Sequence, residues 1–100
     1  QGHGLSGLGY ALLMTGRLDE ALSTLRQAYV ESPLFATTLI ALTHCPGKMG
    51  RWEEAREAAA RLLSLAPNMH ISAYRMTTPF VHSPFIEEKM SILEAAGIPA

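Results

Sequence analysis

The chain has very little cysteine: Cys45 stands alone, so an internal disulfide framework is excluded and a reducing, cytoplasmic compartment is the expected setting. It also lacks an excess of charge of either sign. Eight Lys+Arg against nine Asp+Glu leave a formal charge of −1, a poor electrostatic footprint for nucleic acid or an anionic membrane surface. Charged residues are only 17% and hydrophobic residues 48%, which excludes a disordered, solvating chain. No apolar run approaches the ~20 residues of a membrane helix. The opening Gln-Gly-His-Gly has neither an initiator Met nor a signal-peptide pattern, so the chain is expected to be a segment of a longer protein. No stretch alternates apolar and polar residues over a useful length, and no strands are expected. Without a break in composition, residues 1–100 read as one domain.

What is present is self-similarity. A shift of 34 positions superimposes Leu5 on Leu39, Leu8 on Leu42, Gly16 on Gly50, Arg17 on Arg51, Glu20 on Glu54, Ala21 on Ala55 and Pro33 on Pro67. The repeated core reads GRLDEA and GRWEEA. Each unit has the pattern of two helices. Leu5, Leu8 and Leu12, then Leu18, Ala21, Leu25 and Ala28, recur at helical spacing, with Gly16 between them as a left-handed helix stop. Asp19 and Glu20 suit the first turn of the second helix, and Pro33 suits its end. In the second unit Trp52, Ala55, Ala59, Leu62, Leu63 and Ala66 share a face, with the Glu57/Arg61 pair outside it. The third unit is degenerate. A short helix over about residues 69–76 is followed by Pro79 and Pro84, then by a last helix that Ser83-Pro84 would start and Gly97 would stop. Phe85, Ile86, Met90, Leu93 and Ala96 are its expected buried stripe. The units are 1–33, 34–67 and 68–100, the last a degenerate repeat with a capping helix.

These residues resemble the tetratricopeptide repeat, a helix–turn–helix unit of 34 residues. Leu5 stands where an aromatic is common, Leu8-Gly9 is the Leu-Gly pair, and Gly16, Ala21, Leu25, Ala28 and Pro33 follow at the family's intervals. The second unit keeps Leu39, Leu42, Gly50, Ala55 and Pro67, and departs at Thr43 and Pro46. Gly9 and Ala21 are small where a partner side chain must insert, and Leu5 and Leu25 fill the holes. The resemblance implies an all-α solenoid of six helices in a right-handed stack, two full repeats plus the degenerate unit. It further implies a non-catalytic module whose concave face, lined by the first helix of each unit, holds a peptide, a protein partner or another domain of the parent. Carried over by position, the lining is His3, Ser6, Tyr10, Leu13 or Met14, Thr37, Ile40, His44, Lys48 and Tyr74. The basic-and-Asn clamp with which some members hold chaperone C-termini is missing, because Ser6, Tyr10, Ile40 and His44 fill those slots. The run from Pro79-Phe80 through EEKMSILEAAGIPA is similar to the C-terminus of bacterial multidomain signalling proteins with a class III adenylate or guanylate cyclase domain. That resemblance implies a signalling parent. Homodimerisation and small-ligand sensing are the alternative roles.

No catalytic constellation emerges. His44-Cys45 diverge on a helix, neither C-x-x-C nor H-x-x-x-H occurs, and no metal or cofactor is expected. Cys45 reads as a packed thiol, Glu53-Glu54 and Glu87-Glu88 as solvated helix starts, and GLSGLG lacks the spacing and strand of a phosphate loop. Met14, Met49, Met69, Met76 and Met90 read mostly as core filler. Three structural expectations follow. Pro46 should end or kink its helix within two residues of His44. Trp52 should be largely buried at a helix seam. The first helix, apolar nearly all round, should leave a patch through which the isolated chain dimerises.

Overall fold

The computed structural model describes residues 2–76 and 83–100, with side chains from Gly4 onward. Among these residues it is all helical: α1 (Gly2–Met14), α2 (Leu18–Glu31), α3 (Ala36–Lys48), α4 (Trp52–Leu65), α5 (Ile71–Met76) and α6 (Pro84–Ala95). Helices α1 and α2 form one antiparallel hairpin and α3 and α4 a second, with α2 and α3 in contact between them. The turns are the ones the glycines demand. Gly16 and Gly50 both take φ +82°. In each turn the residue after the glycine donates back across the helix end: Arg17 N–H to the Leu12 carbonyl at 2.9 Å and Arg51 N–H to that of Pro46 at 2.8 Å. This doubly bonded stop satisfies carbonyls that the helix end would otherwise leave unpaired.

Close packing follows the small residues. A Cβ added to Gly9 would lie 2.6 Å from the Leu25 side chain, so the absence of one is what lets α2 approach α1. Their counterparts 34 positions on are Thr43 and Ala59, both buried. The large and small partners have exchanged sides, which accounts for the second unit's departure at Thr43. Leu13, Ala21, Leu22, Leu25, Ala41 and Cys45 form one cluster. Leu39, Ile40, Ala55, Ala59, Leu62 and Ile71 form another with Ile86, Met90, Leu93, Ala96 and Ile98 from the C-terminal part.

Pro46 does not end its helix within two residues of His44: α3 runs through it to Lys48. Pro46 removes the N–H that would have bonded the Leu42 carbonyl, but it sits in the last turn, where one missing bond does not propagate. Its own carbonyl, meanwhile, accepts from Met49 and Arg51. Trp52 is mostly covered, as expected, packed against the core with its ring edge beside Gly47 at the seam of α3 and α4. At α6 the Ser83 hydroxyl accepts from the Ile86 N–H at 3.2 Å and Pro84 occupies the first helical position, as expected. Gly97 at φ +121° stops the helix and turns Ile98 back into the core. The Pro99 and Ala100 carbonyls accept from the Ile71 and Ser72 N–H groups at the start of α5. Pro79, Phe80 and His82 lie outside the described residues.

Candidate functional site

The side of the molecule lined by α1, α3 and α5 is the face on which the sequence placed a groove. It is occupied by α6, which packs along α3 and is tied to α5 by the Arg75–Glu87 ion pair. The first contact point is Phe85, edge-on to Tyr10 with ring centroids 5.6 Å apart and tilted against His44 at 5.0 Å. One turn on, the Glu88 carboxylate accepts from Lys48 Nζ at 2.8 Å and lies 3.3 Å from His44 Nε2. The adjacent Lys89 is 5% exposed. Its ammonium donates to the Tyr10 hydroxyl at 2.8 Å and the Tyr74 hydroxyl at 3.2 Å. It also stands 4.9 Å from the Tyr10 ring centroid and 5.4 Å from that of Tyr74, within cation–π range of both. A further turn along, Ile92 takes the space above Gly47, where any Cβ would collide with its methyl group. In the first unit Leu13 holds the position equivalent to Gly47; in the second, the side chain is supplied by α6.

Electrostatics follows from this enclosure. Burial pushes the His44 imidazole below its ordinary value; the Glu88 carboxylate opposes that shift, and the Lys89 and Lys48 charges reinforce it. The hydrogen bond from Lys48 holds Glu88 below the usual carboxylate range against its partial desolvation, with His44 adding to the effect. Burial pulls Lys89 down, but the hydroxyls of Tyr10 and Tyr74 outweigh it and hold the ammonium above its ordinary value. His44 Nδ1 is buried and has no hydrogen-bond partner among the described residues.

The nine residues expected to line an open groove therefore divide. Tyr10, Ile40, His44, Lys48 and Tyr74 converge, but around α6. Ser6, Ile40 and His44 are buried and cannot line an open surface; Ser6 accepts from the Thr38 hydroxyl at 3.1 Å, tying α1 to α3. Met14 and Thr37 are exposed away from this cluster, and the His3 side chain lies outside the described set. The sequence reading missed Phe85 as an aromatic lid, Glu88, Lys89 and Ile92. A signal existed: Lys89 stands four residues from both Phe85 and Leu93, inside the apolar stripe of α6 where a lysine is out of place. Gly47, a glycine within a helix with no turn to make, was the other.

Chemically the arrangement holds and orients; it does not react. Cys45 is buried, its thiol pushed up to about 11 chiefly by burial and directed at the Leu18 carbonyl, so it is a packed thiol and no nucleophile. Glu87 pairs with Arg75 and Glu88 with Lys48, so neither is a bare carboxylate. Among the described residues no three His, Cys, Asp or Glu side chains converge as a metal would require. No helix among them is long and apolar enough to cross a membrane.

Residues 7–77 match the family model described as tetratricopeptide repeat. That span takes in most of the first hairpin, all of the second and α5, and the chain belongs to the tetratricopeptide repeat family. No curated protein matches the sequence.

Proposed function

We propose that this member of the tetratricopeptide repeat family docks protein partners through the outer face of α1. Repeats of this family generally mediate protein–protein interaction and are non-catalytic. The observation that carries the surface assignment is the exposure of Leu8 and Met14, 53% and 57%, on the helix side that also bears Gly4, Gly7 and Ala11. A helix with small and apolar residues on its solvent side invites a second protein surface. The concave side, by contrast, is already filled by α6.

A second copy of the chain is the simplest partner for such a face, and a two-fold contact would bury both copies' Leu8 and Met14. Sedimentation velocity at tens of micromolar tests this. Reversible dimerisation that Leu8→Glu with Met14→Glu abolishes supports the surface; identical monomeric behaviour of both proteins removes it. Leu13→Glu is unsuitable as a probe, because Leu13 is in the core.

A bacterial nucleotide-cyclase parent is supported by the similarity of the C-terminal run. Its Ala96-Gly97-Ile98-Pro99 signature is also what stops α6 and buries Ile98, so the same residues serve the fold on their own account. Production of cyclic nucleotide from ATP or GTP by the intact parent is the test. Small-ligand sensing has less support. A half-open cavity of about 300 Å³ between α2 and α4 carries Arg26 and Arg61, but these pair with Glu54 and Glu57, leaving few polar groups to converge on a ligand.

A further inference from the structure

Helix α6 presents two stripes to the body of the molecule. One is apolar, with Ile86, Met90 and Leu93 in the core. The other is Phe85, Glu88, Lys89 and Ile92, at the first, fourth, fifth and eighth positions of a helical register, and each meets a chemically matched site. Phe85 meets Tyr10 and His44. Glu88 meets Lys48 and His44. Lys89 enters between two tyrosine hydroxyls, and Ile92 enters the gap left by Gly47. Hydrophobic packing alone would need none of this polarity. A buried ammonium held by phenols is a weak way to add stability, since its desolvation offsets much of what the contacts return. It is an effective way to select one register and one side chain, because an apolar residue there loses the bond to both tyrosine hydroxyls and an anion faces the negative side of both rings. These are the features of a recognition surface. Moreover, α6 reaches side chains of α1 and α3 that stand 40 or more positions from it in sequence, besides Tyr74 and Arg75 of the neighbouring α5.

We propose that the cleft formed by Tyr10, His44, Gly47, Lys48 and Tyr74 is a helix-binding site in which α6 sits as a built-in ligand. A partner's amphipathic helix bearing an aromatic, a glutamate, a lysine and a β-branched residue at those four positions, with an apolar stripe beside them, displaces it. Tethered in the same chain, α6 competes at an effective concentration in the millimolar range, so the partner binds only when it reproduces the whole pattern or when α6 is drawn away. This site shares no residue with the α1 face proposed above, and the two readings fail separately.

The test keeps the whole chain and its cleft intact. A protease recognition sequence inserted within residues 77–82 allows α6 to be severed after folding. A fluorescent synthetic peptide of residues 83–100 is then titrated into the cleaved protein and followed by anisotropy. The expected result is exchange of the peptide into a body that keeps its helical circular dichroism. Replacing the peptide's lysine (Lys89→Glu) should weaken binding at least tenfold, and the exposed-side change Ser91→Ala should leave it unchanged. Three outcomes overturn the proposal: loss of helicity once α6 departs, failure of the peptide to exchange at any concentration, or equal binding of the Lys89→Glu peptide. Each of these makes α6 an ordinary piece of core. A dimer of the uncleaved chain that Lys89→Glu abolishes and Leu8→Glu does not would identify a second copy's α6 as the occupant, overturning the separate partner.

Discussion

His44 shows how a side chain's surroundings decide its charge. It is fully buried, with Phe85 against its ring, Glu88 at one nitrogen, and the Lys48 and Lys89 charges nearby. Desolvation wins over the single carboxylate, so the folded protein takes up the imidazole proton less readily than the unfolded chain does. The unfolded chain therefore binds that proton first as pH falls. The stabilisation is fully present above pH 6.5, the group's ordinary value, and is lost progressively below it. Glu88, whose carboxyl is depressed, adds a second loss only below its ordinary 4.5. Urea unfolding across pH 2.5 to 8 should show both steps. In His44→Gln the upper step should vanish while the one below pH 4.5 persists. An unchanged upper step in that variant would assign it to another histidine.

At the scale of elements, the two kinds of glycine separate what a sequence discloses from what it hides. Gly16, Gly50 and Gly97 all take positive φ and stop helices; the places of Gly16 and Gly97 after apolar periodic runs made the ends of α1 and α6 legible, whereas Pro46 masked that of α3. Gly50 has open space around its missing Cβ; Gly47 has Ile92 in it. Gly50→Ala should therefore cost about 1 kcal/mol of backbone strain and leave the packing intact. Gly47→Ala should instead lift α6 from α3, which is expected to raise the quencher accessibility of Trp52, whose ring flanks the same spot. If the two substitutions prove alike by denaturation and Trp52 quenching, the contact between Ile92 and Gly47 is not what holds α6. The hairpins were readable because their contacts lie within one 34-residue period. The position of α6 was not, because period and propensity describe a helix and its stripe but not which distant surface receives it. Tyr10, His44, Lys48 and Tyr74 were singled out as lining; that the chain itself fills the space between them depends on contacts spanning up to 79 positions.

Those long contacts change how the whole molecule should behave. In a plain stack of repeats each unit touches only its neighbours, and end units open on their own. Here Lys89 and Phe85 of the last helix reach Tyr10 of the first, and Phe85 packs against both hydrophobic clusters. The first hairpin is thereby tied to the third unit as well as to the second, and opening it alone must break the α6 clasp. Native-state hydrogen exchange should then find the slowest amides of α2 and α4 opening with the same free energy, in one cooperative event. Phe85→Ala removes the ring shared by the two clusters without touching the α1/α2 interface or the Gly9–Leu25 contact. In that variant the α2 amides should exchange faster than those of α4, the two values separating as independent units do. Separate opening already in the unaltered chain would mean that α6 closes the concave face without coupling its two ends.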